Sequence, residues 1–195
     1  VLNSAMTYAN KEGTLLVIAA GNDSADLQHD KNFISLPNEG AQAVSVASTG
    51  PIGYGWDADG DGETSDLVAP PESPAFYTNY GTNAITIAAP GGDADLGAIG
   101  TGVPWFNDLV FNTVFSYVDT DGDDEPDTQV PGYGWKAGTS MAAPNVAGAA
   151  ALVKSANPDY NANQVESALK KAAEVPDEYG KEFYGAGYLN ILDAL

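Results

Sequence analysis

The sequence predicts an α/β fold, a parallel β-sheet flanked by helices on both faces. Leu15-Leu16-Val17-Ile18-Ala19-Ala20 is a continuous apolar run bounded by Gly13 and Gly21, and a strand apolar on both sides belongs in a parallel sheet covered above and below. Two more short strands are expected, at residues 43–49 and 85–89. Residues 138–151 carry mostly small side chains, including Ala142, Ala143, Ala147, Gly148, Ala149, Ala150 and Ala151. A helix so bare is expected to lie tight against a sheet or another helix.

The first helix is marked by Leu2, Ala5, Met6 and Ala9 at helical spacing, with Gly13 as its C-cap. The strand at 15–20 empties into Gly21-Asn22-Asp23, at the carboxyl end where open α/β sheets gather their chemistry. Residues 23–36 read as a polar loop closing in Phe33-Ile34-Ser35-Leu36-Pro37. After the strand at 43–49, Gly, Pro and Asp make residues 50–75 a long loop. Pro90-Gly91 stops the strand at 85–89. Residues 109–118 are aromatic and β-branched, which predicts a strand or half of a hairpin. In the alanine-rich helix Pro144 suits a first turn, where a missing N–H costs nothing. Asn157-Pro158 ends that helix. Asn161 caps the next one with Gln164 at the capping-box position, and Val165, Ala168, Leu169 and Ala172 form its inward stripe. A last helix follows residues 184–190.

Composition narrows the function classes. The 195 residues, 44% hydrophobic, suffice for one substantial core. The net charge is −20, from 27 acids against seven lysines and no arginine, so nucleic acid and anionic membranes are poor partners. No run of eighteen apolar residues spans a membrane, and the first residues lack the charged and apolar regions of a signal peptide. With no cysteine there is no disulfide framework, which makes a metal the obvious staple.

Two acidic loops fit that role. Asp57-Ala58-Asp59-Gly60-Asp61-Gly62-Glu63 and Asp119-Thr120-Asp121-Gly122-Asp123-Asp124-Glu125-Pro126-Asp127 place carboxylates at alternate positions, the pattern that converges oxygens on a hard cation. Structural Ca²⁺ is expected on Asp57, Asp59, Asp61 and Asp66, and on Asp119, Asp121, Asp123 and Asp127. Neither loop is a regular EF-hand: Val68 stands at the twelfth position of the first, and Asp124 at the sixth of the second, where glycine is usual.

Two positions invite chemistry. Gly138 frees the backbone for a sharp turn, and Ser140 arrives where the helix begins, at the positive end of its dipole. Taken alone it is a nucleophile or an N-capping serine. Asn22, taken alone, is an amide donor for a developing oxyanion or a turn residue tolerant of left-handed backbone. The stretch Gly138-Thr139-Ser140-Met141-Ala142-Ala143-Pro144 resembles the serine motif of the subtilisin-like serine peptidases, with Asn145 where that family usually has His. Ala19-Ala20-Gly21-Asn22, Ala88-Ala89-Pro90-Gly91 and residues 184–190 resemble further segments of the same family. The resemblance implies a three-layer subtilisin-like fold, Ser140 as nucleophile, Asn22 as oxyanion donor, a peptide or protein substrate and a secreted location. It covers nearly the whole chain but matches the later part of the family's catalytic domain, so residues 1–195 are expected to form that part, with a sheet incomplete on its N-terminal side.

The family orders its triad Asp, His, Ser, and its His-Gly-Thr-His and earlier Asp motifs do not occur in this sequence. The single histidine, His29, follows Asn22 in a polar loop and reads as a surface residue. The expectation is therefore an endopeptidase portion that does not turn over substrate alone and is completed by an N-terminal part supplying His and Asp. The alternative is a non-catalytic, calcium-stabilised extracellular module with the same fold.

Overall fold

In the computed structural model, which describes residues 1–30 and 34–195, the three expected strands form one parallel sheet in the order β1 (Leu16–Ala19), β2 (Ala43–Thr49) and β3 (Ile87–Pro90). Its register sets Leu16 against Ala43 and Val46 against Ile87. Phe33, at the close of the expected polar loop, lies outside the described residues.

Side chains alternate across a strand, so the central strand feeds two cores. Val44 and Val46 face the alanine-rich helix α2 (Thr139–Ala156), meeting Ala142, Val146, Ala149 and Val153. Helix α3 (Ala162–Ala172) closes that layer with Val165, Leu169 and Ala172. On the opposite face Ala47 and Ala88 pack with Tyr184, from the short helix α4 (Lys181–Tyr184). Burying each valine or leucine contributes about 1.5–3 kcal/mol, so the three-layer arrangement follows from strands that are apolar on both sides. Helix α1 (Leu2–Lys11) lies beside β1 and α3, and α5 (Ile191–Ala194) ends the chain.

The capping box on α3 forms as the sequence expects. Asn161 Oδ1 accepts the Gln164 N–H at 3.0 Å, and Gln164 Oε1 accepts the Asn161 N–H at 2.9 Å. Asn161→Ala should therefore lower unfolding stability by about 0.5–2 kcal/mol, measured by denaturant titration.

Helix α2 differs from expectation in one respect. It begins at Thr139, which puts Pro144 in the second turn. The missing Pro144 N–H would have served the Ser140 carbonyl, and Ser140 is exposed, so water can satisfy that oxygen. Only one side of α2 meets the sheet. Ala147, Gly148, Ala151 and Leu152 are exposed, and β1 pairs with β2 alone among the described residues. An open strand edge therefore lies on the side of the sheet away from β3.

Residues 109–118 prove to be half of a hairpin. β4 (Val110–Val118) pairs antiparallel with β5 (Thr128–Lys136), and the second acidic loop forms the tip. The sequence hid β5 because Pro131, Gly132 and Gly134 interrupt its β-branched pattern. A two-stranded ribbon tolerates a proline because each strand has a free edge. Along one face Phe111 stacks on Tyr133 and tilts against Trp135, with centroids 5.8 and 4.7 Å apart; such cross-strand pairs stiffen the ribbon.

Candidate active site

The turn into α2 is built on the end of β3. Gly138 donates its N–H to the Gly91 carbonyl at 3.0 Å, and Asn145 Nδ2 donates to the Pro90 carbonyl at 2.8 Å. A side chain at Gly91 would meet Ser48 Oγ at 2.1 Å and the Gly138 carbonyl at 2.6 Å, so only glycine permits this approach. Gly138 itself holds φ at 152°. Tyr77 supports the turn from below: its hydroxyl donates to the Gly92 carbonyl and lies 2.7 Å from Ser48 Oγ. Burial pushes the Tyr77 phenol up to about 12, so it remains a neutral donor at physiological pH.

Thr139 joins the turn to β1. Its N–H and its hydroxyl both donate to Asn22 Oδ1, at 2.9 and 2.8 Å, while the hydroxyl oxygen accepts the Gly21 N–H at 3.1 Å. With Oδ1 committed, the amide nitrogen of Asn22 is the end left to donate. A Cβ built on Gly138 would stand 3.2 Å from that nitrogen, so the amide reaches the turn carrying Ser140. Among first-turn N–H groups, those of Met141 and Ala142 return to the Gly138 carbonyl at 2.8 and 3.3 Å. The Ser140 N–H is one of the first-turn donors that the helix ladder does not use, in a turn where Ser140 and Asn22 are both exposed. On the hairpin side, Val110, Asn112, Val114, Gly134 and Lys136 line a cavity of about 470 Å³ with Ser140 and Met141; Asn22 is not part of its lining.

Sequence reasoning missed Thr139, Tyr77 and Asn145 as members of this site. Thr139 was visible inside the serine motif, but its double donation depends on a strand over a hundred residues away. Asn145, which stands where the resembled family has His, ties the helix to β3.

His29 lies elsewhere. Its Nδ1 is 2.7 Å from Asp26 Oδ2 in an exposed loop, and this contact lowers the Asp26 carboxyl. The neighbouring Gln28 lines a cavity with Ala43 and Thr86, at the amino ends of β2 and β3; Ser140 stands at the carboxyl end of the sheet.

Behind the turn sits a buried carboxylate, Asp93, only 3% exposed. It accepts the N–H groups of Ala94 and Phe76 at 2.8 and 3.3 Å. Burial pushes it up to about 6, and the carboxylate of Asp108 adds to the rise. A carboxyl raised in the folded state binds a proton that the unfolded chain has already lost. Its stabilising effect is thus complete below about pH 4 and disappears as pH rises through 6. Asp93→Asn keeps the acceptor and removes the charge. It should raise stability at pH 7.5 by about 1–3 kcal/mol and leave it unchanged at pH 4, a difference read by thermal denaturation at the two pH values.

The acidic loops share one geometry. The carboxylate oxygens of Asp57, Asp59 and Asp61 lie within 4.8 Å of one another, as do those of Asp119, Asp121 and Asp123. In each loop the sixth N–H returns to the first carboxylate, Gly62 to Asp57 at 3.4 Å and Asp124 to Asp119 at 2.8 Å. Asp124 takes the left-handed conformation of Gly62, with φ 65° against 92°, which explains why aspartate can stand at that position. The N–H groups of Gly122 and Asp124 hold the Asp119 carboxyl below its ordinary value. Asp66 and Asp127 lie outside the convergent triplets. Asp66 accepts the Ala58 N–H at 2.7 Å, and Asp127 accepts the Thr120 hydroxyl at 2.9 Å, each tying its loop's far end to its start.

Comparison with known proteins bears on this arrangement. The profile described as "Subtilase family" matches residues 1–187. An extracellular protease of Xanthomonas campestris pv. campestris is 29% identical over 190 residues, 97% of this chain and 24% of that protein. The minor extracellular protease Vpr of Bacillus subtilis is 39% identical over 69 residues, 33% of this chain and 9% of that protein. A solved protease from Pseudoalteromonas arctica superimposes with a TM-score of 0.67 at 31% identity, over 98% of this chain and 45% of its own. The chain thus spans about a quarter or less of these curated relatives and under half of the solved structure.

Proposed function

The chain belongs to the subtilase family of serine proteases, and on that premise we propose that it carries the nucleophile and oxyanion donors of a peptide-bond hydrolase. Ser140 Oγ attacks the scissile carbonyl of a peptide or protein substrate. The carbonyl oxygen, now negative, accepts hydrogen bonds from Asn22 Nδ2 and the Ser140 N–H. A histidine takes the Ser140 hydroxyl proton during the attack and gives it to the departing amine. Water, deprotonated by the same histidine, then hydrolyses the acyl-serine, and the histidine returns the proton to Ser140. The observation that carries this reading is the Thr139 bridge, which fixes the carboxamide of Asn22 beside the residue preceding Ser140.

The base and its orienting acid come from an N-terminal part of the peptidase domain. The open edge of β1 and the small, exposed side of α2 give that part a strand to pair with and a surface to cover. Fluorophosphonate labelling tests the reading. Ser140 should label when the N-terminal part is supplied and not in this chain alone. No labelling of the completed protein would leave only a non-catalytic module. Secretion is consistent with relatives named as extracellular proteases, and no helix among the described residues is long and apolar enough to cross a membrane.

The acidic loops are structural Ca²⁺ sites. Hard carboxylate oxygens in triplets suit this ion: Asp57, Asp59 and Asp61 hold one, and Asp119, Asp121 and Asp123 the other, with Asp66 and Asp127 closing the loops. Bound Ca²⁺ supplies only charge neutralisation there. At a hundred times its dissociation constant Ca²⁺ should add about 2.7 kcal/mol per site, seen as a rise in thermal midpoint. An unchanged midpoint after chelation would exclude structural metal, and Asp59→Asn with Asp121→Asn should abolish the rise.

A further inference from the structure

We propose that Asn79 is a positioning residue for the oxyanion donor, a role that rests on the reading of Asn22 above. Asn79 is fully buried, at 0% exposure. It lies far from Asn22 in sequence, yet the turn that carries Asn22 is wrapped around it. Its Oδ1 accepts two N–H groups of that turn, from Asp23 at 2.9 Å and Ala25 at 3.0 Å. Its Nδ2 donates to the Ala20 carbonyl at 3.0 Å and to Asp23 Oδ2 at 3.2 Å. Its own backbone N–H donates to the Gly21 carbonyl at 3.0 Å. Every side-chain hydrogen-bonding direction that an asparagine offers to a planar turn is used, on both sides of Asn22.

The turn would not hold this shape unaided. Ser24 sits at φ 52°, a left-handed conformation that is unfavourable for a non-glycine residue and persists only where its surroundings determine it. The segment leading to Asn79 supplies that restraint twice more, through Ser24 N–H to the Tyr77 carbonyl at 2.9 Å and Ser24 Oγ to the Phe76 carbonyl at 2.7 Å. A Cβ on Gly21 would approach Asn79 Nδ2 to 2.4 Å, so the turn and the amide are fitted to each other. The backbone on both sides of Asn22 is clamped by Asn79 and its Oδ1 by Thr139, which leaves Nδ2, beside Gly138, as the end free to donate. Aspartate has no donor for the Ala20 carbonyl and sets a second carboxylate against Asp23. Alanine leaves the Asp23 and Ala25 N–H groups without acceptors.

The test is a double-mutant cycle on the rate of fluorophosphonate labelling at Ser140, in the peptidase with its N-terminal part supplied. Asn79→Ala should slow labelling by about 10- to 100-fold, the range expected when a reacting group is displaced by a fraction of an ångström to an ångström. In an Asn22→Ala background the same change should slow it less than about twofold, because the group being positioned is gone. Asn79→Asp guards against misfolding: it keeps the volume and should also slow labelling, and adding Asp23→Asn, which reverses donor and acceptor across that contact, should restore part of the rate. Equal slowing by Asn79→Ala in both backgrounds, or no rescue by Asp23→Asn, would overturn the positioning role while leaving the oxyanion role of Asn22 intact. If Asn22→Ala alone leaves the rate unchanged, the oxyanion reading fails and the positioning role falls with it.

Discussion

Ser140→Ala is expected to abolish fluorophosphonate labelling and to lower turnover of the completed peptidase by about 10⁶, the loss measured when the nucleophile of subtilisin itself is removed and so borrowed from a relative of this chain. The reason is local. The hydroxyl belongs to the second residue of an eighteen-residue helix, and that residue is exposed. No other serine or threonine of this turn can substitute. Thr139 is buried, and its hydroxyl is committed to Asn22 and Gly21. The fold should not notice the change, because an exposed side chain without packed neighbours shifts stability by no more than about 0.5 kcal/mol. An unchanged thermal midpoint with complete loss of labelling is the expected pair of results. Residual labelling would mean that another nucleophile occupies the cleft.

Asn22→Ala should cost about 2.7–4 kcal/mol of barrier, a 10²- to 10³-fold fall in acylation rate, on the scale set by the corresponding amide of subtilisin. The substitution also strips Thr139 of the acceptor for its N–H and hydroxyl, so part of any loss could come from a loosened turn. Asn22→Asp separates the two effects. It keeps an oxygen for Thr139 but replaces the donor with a negative charge facing the oxyanion. Its rate should fall at least as far as that of Asn22→Ala, with the α2 turn still anchored. A rate near wild type for Asn22→Asp would show that the carboxamide does not meet the developing charge. Substrate binding should change little in either variant, because the donor acts on charge that appears only in the transition state.

How far the sequence could be read differs from element to element. β2 was the less plain strand, since it buries Ser45, Ser48 and Thr49 among its apolar residues; the strand at 15–20 declared itself because it is apolar at every position, as a strand covered on both faces favours. The capping box on α3 is contained in four consecutive residues and was equally plain. The hairpin was half legible: β4 has the composition of a strand, whereas β5 carries proline and glycines and is held chiefly by its partner. Pro144 misled, because helix phase depends on where the turn from β3 releases the chain. Asn79 gave no signal, since an asparagine in Thr-Asn-Tyr-Gly looks like any turn residue until a strand sixty positions earlier curls around it.

The sequence by itself determined the periodicities, the burial and hence the layers, together with the residue types able to act as nucleophile, amide donor and cation ligand. These are properties of short stretches, where the covalent chain places the neighbours. Only the tertiary structure decided which end of the Asn22 amide is held, and that Thr139 and Asn79 hold its turn from two sides. Those outcomes depend on angles between groups far apart along the chain. A hydrogen bond is a matter of a few tenths of an ångström and a few tens of degrees, and that precision exists only once the sheet and its helices have packed.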